Sequence, residues 1–287
     1  MRTSPIDGLL LVDKPAGVTS HDVVSVARRA LGVRRIGHAG TLDPFATGLL
    51  VLLVGRATRL LPYLDGEPKR YEATVRFGAE TTTDDLTGEP VRTAPPPDRA
   101  AAERAMGQLT GELSQVPPAF SAKKVDGRRA YDAARRGEPV ALAPVRVHVH
   151  EWRVREWRGD DVDVRITCGG GTYVRALARD LGRLTGSAAH LAALRRVGSG
   201  AFDVGDAVPL DALRQGAASP RPARDAVRSL PAQMLDDDAL ARVARGQPVD
   251  ATAAGARAAL VDAEGTLVAI GEREGACWRP RVVMRDG

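Results

Sequence analysis

Runs of apolar residues spaced two apart, following one another closely, limit most strongly what this chain can fold into. Tyr71, Ala73, Val75 and Phe77 alternate with polar residues, as do Val145, Val147 and Val149, and Val162, Val164, Ile166 and Cys168. A period of two sends successive side chains to opposite faces of a strand, so each run predicts a strand with one buried face. Trp152 and Val154 continue the second run in the opposite phase, which predicts a β-bulge, and Gly159-Asp160-Asp161 predicts the hairpin that follows. Residues 8–13 and 49–54 are unbroken apolar runs and predict strands buried on both faces.

Helical spacing is sparser. It occurs at Val23, Val24, Ala27, Ala30 and Leu31 behind the capping-box pattern Thr19-x-x-Asp22. It recurs at Ala102, Ala105, Met106 and Leu109 behind a capping Asp98, and at Val174, Leu177, Ala178, Leu181 and Leu184. Strands therefore collect without regular strand–helix alternation. This predicts an α+β fold with a mixed, largely antiparallel central sheet, not a doubly wound one. Residues 91–98, with three prolines, read as a loop, and 216–222 as a Gly/Ala/Ser/Pro linker. Beyond Leu230, one helical stretch (238–245) and strand-like runs at 258–261, 267–270 and 282–284 predict a small β-rich C-terminal domain. The expected division is 1–228 and 229–287.

Composition excludes several classes. With 44% hydrophobic and 27% charged residues over 287 positions, the chain is neither disordered nor fibrous. No apolar run approaches the ~18 residues of a membrane span, and the first residues lack the apolar core of a signal peptide. A cytoplasmic protein is expected. Two cysteines, Cys168 and Cys277, stand far apart without a CxxC partner, so two free thiols are expected and a cysteine zinc site is not. There is no P-loop, no HExxH and no Cys/His cluster; Gly169-Gly170-Gly171 reads as a strand-to-helix turn. Net charge is +5, from 41 basic and 36 acidic residues. Lys123, Lys124, Arg128, Arg129, Arg135 and Arg136 face only Asp126 and Asp132 within seventeen residues. Such a segment suits a polyanion, most often a nucleic acid, and equally suits a solvated face. Ala130, Tyr131, Ala133 and Ala134 within it suggest a short helix.

One loop concentrates chemistry. In residues 37–48 three glycines, a proline, His38 and Asp43 lie between apolar elements. Glycines let a ligand approach the backbone, and Pro44 turns Asp43 away from helical geometry. Asp43 reads either as a catalytic carboxylate or as the polar side chain of a structural turn. Tyr71 reads either as a core aromatic or as a stacking face, and His38 as a loop or a ligand-side histidine.

Residues 37–48, Gly-His-Ala-Gly-Thr-Leu-Asp-Pro-Phe-Ala-Thr-Gly, resemble the signature loop of the TruB family of tRNA pseudouridine synthases. Lys14-Pro-Ala-Gly-Val-Thr-Ser20, Lys69-Arg-Tyr-Glu-Ala73, Gly170-Gly-Thr-Tyr-Val-Arg-Ala-Leu177 and Leu194-Arg-Arg196 resemble that family's other motifs, in family order. Pro117-Pro-Ala-Phe-Ser-Ala-Lys123 resembles the segment preceding its RNA-gripping insertion, expected here at about 119–143; Phe120 replaces a common tyrosine. The resemblance implies the pseudouridine synthase fold with a PUA-like C-terminal domain. It implies isomerisation of uridine 55 in the T loop of tRNA, with no cofactor and no metal.

By position, Asp43 matches the nucleophilic aspartate, Arg175 the arginine that pairs with it, and Tyr71 the tyrosine that stacks on the flipped base. His38 matches the histidine that fills space left by flipped nucleotides, and Tyr173 and Leu194 match residues lining the uracil pocket. Lys14 matches a supporting lysine. Lys123, Arg128, Arg129, Arg135 and Arg136 fall in the insertion expected to hold the RNA backbone. The implied partner is the T-arm of tRNA, bound by a monomer with no obligate protein partner and no membrane. An RNA-folding module without catalysis, a guide-RNA-dependent synthase and a hydrolase built on Asp43 are the competing readings. For the hydrolase, no second carboxylate lies in the Asp43 loop.

Overall fold

A computed structural model describes residues 6–121, 124–125, 128–129 and 142–284, with only the backbone described at 124–125 and 128–129. In chain order the strands are β1 (Gly8–Lys14), β2 (Ile36–Ala39), β3 (Thr47–Val54), β4 (Lys69–Phe77), β5 (Ala79–Thr81), β6 (Pro90–Thr93), β7 (Gly111–Gln115), β8 (Lys124–Val125), β9 (Arg128–Arg129) and β10 (Val145–Arg158). They continue with β11 (Asp161–Cys168), β12 (Ala189–Ser199), β13 (Phe202–Asp203), β14 (Val208–Pro209), β15 (Ala232–Met234), β16 (Val249–Asp250), β17 (Arg257–Val261), β18 (Leu267–Glu274) and β19 (Cys277–Val283). The helices are α1 (Ser20–Leu31), α2 (Arg99–Gln108), α3 (Val174–Leu184), α4 (Leu210–Arg214) and α5 (Asp237–Ala244). None among the described residues is long and apolar enough to cross a membrane. The elements divide into two compact units. One comprises Met1–Asp43, Leu50–Gly66 and Asp206–Gly287, the other Pro44–Leu49 and Glu67–Gly205.

The second unit is built on a sheet in the order β3-β12-β4-β11-β10-β7, with β13 beside β12. Every pairing is antiparallel except β3 with β12. The alternation in sequence becomes register. Ile166, Val164 and Val162 of β11 stand opposite Tyr71, Ala73 and Val75 of β4, and all six are buried. Burying a valine or isoleucine side chain contributes roughly 1.5–3 kcal/mol, so a one-residue slip of this ladder would forfeit many such terms. The phase change after Val149 is a bulge against β11, as the sequence predicts. Helix α3 buries Val174, Ala176, Leu177, Ala178 and Leu181. It approaches β12 closely enough that a Cβ at Gly182 would lie 2.4 Å from the Ala189 nitrogen. Val91 to Thr93, expected in a loop, instead belongs to β6, which pairs with β5. All four residues of β6 are exposed, so it carries no apolar alternation for a sequence reading to detect.

The first unit holds β14-β1-β3-β2 and a separate five-stranded sheet in the order β15-β17-β18-β19-β16. Leu9–Val12 and Leu50–Val54 are buried throughout, as unbroken apolar runs require. Thr19 caps α1 through a full capping box with Asp22, worth about 1 kcal/mol. The supposed linker at 216–222 is tied down: Leu9 and Arg221 exchange two backbone hydrogen bonds, of 3.0 and 2.7 Å. The five-stranded sheet has its own core of Leu235, Val243, Leu260, Val268 and Trp278. Buried Gln233 accepts from Trp278 Nε1 at 2.7 Å and donates to the Asp250 carbonyl, so this core encloses a satisfied amide.

β3 meets β12 at Gly48, whose φ of +100° and absent side chain are both required. A Cβ there would sit 2.2 Å from the Arg196 carbonyl oxygen. Gly48→Ala should cost roughly 2–6 kcal/mol, from backbone strain plus overpacking. Gly17→Ala, at φ +84° with nothing within 4 Å, should cost only about 1 kcal/mol. Thermal unfolding of the two variants checks this; equal melting temperatures would contradict the close approach.

Candidate active site

The first unit carries Lys14, His38 and Asp43. Lys14 is fully buried at the end of β1. Its Nζ donates to the carbonyls of Pro15 (2.9 Å) and Val18 (2.8 Å), closing the turn that leads to the α1 cap. Ser20, at the first position of α1, donates to the Leu42 carbonyl (3.1 Å) and accepts from the Leu42 N–H (2.9 Å). That reciprocal pair fixes the backbone immediately before Asp43. Asp43 is half-buried on irregular backbone, and Pro44 begins the segment that belongs to the other unit. His38 is half-buried on β2, opposite Leu52 of β3.

The second unit carries Tyr71, Tyr173, Arg175 and Leu194. Tyr71 lies on β4, 6% exposed, in register with Ile166 and Arg196. Leu194 is buried on β12 opposite Ala73, two residues from Tyr71. Lys69 begins the same strand; burial, helped by nearby Arg196, pulls its ammonium below the usual lysine range. Tyr173 is the residue before α3, after a turn in which Gly171 takes φ +79°. Gln115, at the end of β7, grips its backbone from both sides: Oε1 accepts from the Tyr173 N–H (2.9 Å) and Nε2 donates to its carbonyl (3.2 Å).

Arg175, the second residue of α3, is only 4% exposed. Its Nη1 donates to the Thr83 carbonyl (2.8 Å) and Nη2 to the Phe120 carbonyl (2.9 Å), while Asp85 Oδ2 lies 3.6 Å from Nη1. The Asp85 carboxylate accepts from Thr83 Oγ1, Thr87 Oγ1 and the Thr87 N–H at 2.6–2.9 Å. With Oδ1 held by these donors and Oδ2 turned toward Arg175, the carboxylate is an oriented partner for the guanidinium. Sequence reading missed it, because Thr-Thr-Thr-Asp-Asp-Leu-Thr-Gly (81–88) has the composition of an ordinary turn. Its neighbour Asp84 pairs with Arg179 Nη1 at 2.8 Å. Burial pushes the Asp84 carboxyl up to about 6 against the pull of Arg179 and Arg175, with Glu80 adding to the rise. Asp84, Glu80, Arg179 and Arg183 also line a cleft of about 560 Å³, to which neither Tyr71 nor Arg175 contributes.

β8 and β9 pair antiparallel, Lys124 opposite Arg129, so Arg128 and Arg129 lie on a strand and not on the suggested helix. Lys123, Arg135 and Arg136 lie outside the described residues. Among the described residues no group of three or more His, Cys, Asp or Glu could hold a metal ion.

Residues 28–174 match the family model for the N-terminal domain of TruB family pseudouridylate synthases, and 175–236 match that for the C-terminal domain of tRNA pseudouridylate synthase B. The chain is 45% identical to tRNA pseudouridine synthase B of Thermobifida fusca, over 97% of this chain and 98% of that one. It is 52% identical to the Leifsonia xyli protein of the same name, over 78% and 76%. Among solved structures it resembles a chain of a Cbf5-Nop10-Gar1 complex, at 26% identity and TM-score 0.72, covering 97% of this chain and 85% of that one. A chain of the archaeal box H/ACA Nop10-Cbf5 complex gives 25% identity and TM-score 0.71 over 97% and 86%.

The raised Asp84 value has a sign that unfolding can read. Between about pH 4 and about pH 6 the folded chain keeps a proton that the unfolded chain has lost. Stability therefore falls as pH rises through that window. Asp22 and Asp161, held low by Thr19 and Arg76, act oppositely and only below about pH 4. Asp84→Asn should flatten the urea midpoint against pH between about 4.5 and 6.5; profiles that stay parallel would contradict the assignment.

Proposed function

The chain belongs to the TruB family of pseudouridine synthases, an isomerase family, and from that we propose that it converts uridine 55 in the T loop of tRNA to pseudouridine. The observation that carries the reading is the 45% identity to a tRNA pseudouridine synthase B across 98% of that relative's length. The reaction breaks the bond from N1 to C1′, turns the uracil and forms a bond from C5 to C1′. The proton at C5 leaves and N1 gains one, so mass is unchanged and no electrons are exchanged. Nothing in that balance calls for a redox cofactor or a phosphoryl donor.

We assign the acid to Asp43. A carboxylate suits the C1′ side of the bond, by covalent attack or by assisting elimination to a glycal. Arg175 takes the role of its guanidinium partner, favouring the ionised acid and fixing its orientation. Its burial and its two bonds to carbonyls support this, since they leave a cation of fixed position. Tyr71 receives the flipped base, whose lost stacking an aromatic face offsets by roughly 1–3 kcal/mol. Tyr173 and Leu194 bound the uracil, His38 occupies space left by displaced nucleotides, and Lys14 supports the loop through its turn. The basic insertion holds the phosphates of the T-arm, and the C-terminal sheet is a PUA-like RNA-binding domain. The protein works in the cytoplasm without a guide RNA or an obligate protein partner.

Asp43→Asn should abolish tritium release from tRNA labelled at C5 of uridine while binding tRNA within a few-fold of the parent chain. Retention of a tenth of the parental turnover would overturn the assignment. Replacing Arg128, Arg129, Arg135 and Arg136 together by alanine should weaken tRNA binding at physiological salt. The slope of affinity against salt should flatten by roughly 0.7–0.9 per lost phosphate contact. Dissociation constants at three salt concentrations decide it, and an unchanged slope removes the segment from the interface.

A further inference from the structure

We propose that Arg179 is a positioning residue for the reaction, which sets Arg175 by tying together the same two stretches of chain that Arg175 grips. The proposal rests on the reading of Arg175 as an active-site residue. The two arginines stand four residues apart on α3 and so share a face. Arg175 bridges Thr83 to Phe120 through their carbonyls. Arg179 bridges Asp84 to Val116, with Nη1 on the carboxylate and Nη2 on the carbonyl, both at 2.8 Å, and Nε on Asp180 at 2.9 Å. The pair forms two rungs between the 83–85 turn and the 116–120 stretch. The two rungs add to the backbone hydrogen bonds by which Leu191 of β12 holds the turn at Asp84 and Leu86.

The backbone shows how closely the turn is fitted to this task. Asp84, at φ +60°, is the one non-glycine among the described residues with a positive φ. It holds that conformation through its N–H to the Thr81 carbonyl and its carbonyl to the Leu191 N–H, both 3.1 Å. A left-handed residue at this point lets consecutive acids serve different arginines: Asp84 pairs with Arg179, and Asp85 faces Arg175. Backbone strain of this kind persists where surrounding structure enforces it, and it gathers at functional sites. Also on this side are Glu80, paired with Arg183 and approached by Arg92 Nη1 at 3.9 Å, and Asp180, held by Arg179. Protonating Asp84 removes the charge that faces Arg179, so the arrangement depends on the ionised carboxylate.

The test compares the parent chain with Arg179→Gln, Arg179→Lys and the double variant Asp84→Asn/Arg179→Gln. Single-turnover rates at saturating tRNA and tRNA dissociation constants are measured, with folding checked by circular dichroism at the assay temperature. Arg179→Gln should lower the saturating rate tenfold or more and leave the dissociation constant within threefold. Arg179→Lys should recover part of the rate, since an ammonium still pairs with Asp84. The double variant strands no buried charge, so it keeps its fold and stays slow. The parental rate should fall as pH drops through about 6, and the double variant should lose that limb. A double-variant rate within twofold of the parent overturns the proposal. So does a parental rate that is flat from pH 5 to 7, a measurement that needs no variant to fold. Turnover by Asp43→Asn would instead overturn the active-site reading, whereas an inactive Asp43→Asn beside a normal double variant removes only the role of Arg179.

Discussion

Burying a guanidinium costs several kcal/mol unless its N–H groups find oxygens, and α3 buries two of them one turn apart. The oxygens come from three directions: the carbonyls of Thr83, Val116 and Phe120, and the carboxylates of Asp84, Asp85 and Asp180. Much of the second unit is arranged around that supply. The threonines at 83 and 87 orient Asp85, Gln115 seats the start of the helix, and Leu191 on β12 holds the turn from the sheet side. A network satisfied in this way specifies one arrangement, because any other strands a charge in a medium that screens it poorly.

The same economy recurs on a smaller scale in the first unit. Lys14 is as buried as the leucines before it, and its ammonium closes a turn of the backbone instead of meeting solvent. That turn delivers Thr19 to its cap and Ser20 to Leu42, so a lysine and a serine far from Asp43 in sequence govern the loop that presents it.

How much of this a sequence reveals depends on the range of the interaction. β4, β11, the bulge in β10 and the capped start of α1 are legible because their signals lie within a few residues. β6 is not, being four exposed residues with no alternation. The 216–222 segment has loop composition, and nothing in it names Leu9 as its partner. The division into units is equally silent, since no change of composition marks the passage from Asp43 to Pro44. Motifs nominate Asp43, Tyr71 and Arg175, whereas nothing local in the sequence announces the contacts of Asp85, Gln115 and Arg179. Asp85 and Arg175 meet across ninety positions, and a short acidic turn read by itself is only a turn.

The pairing of β1 bears on how the chain emerges during synthesis. One edge of β1 meets β3, but the other waits for β14 and for Arg221. At ordinary elongation rates Arg221 follows Leu9 by roughly 10–40 s. Through that interval one edge of a strand made of Leu9, Leu10, Leu11 and Val12 has no native neighbour, although almost all of the second unit, a single run from Glu67 to Gly205, has already been made. An apolar strand with an open edge is the kind of surface that pairs with the wrong chain. The nascent protein therefore keeps this edge of β1 without its native partners until Val208 and Arg221 have been made.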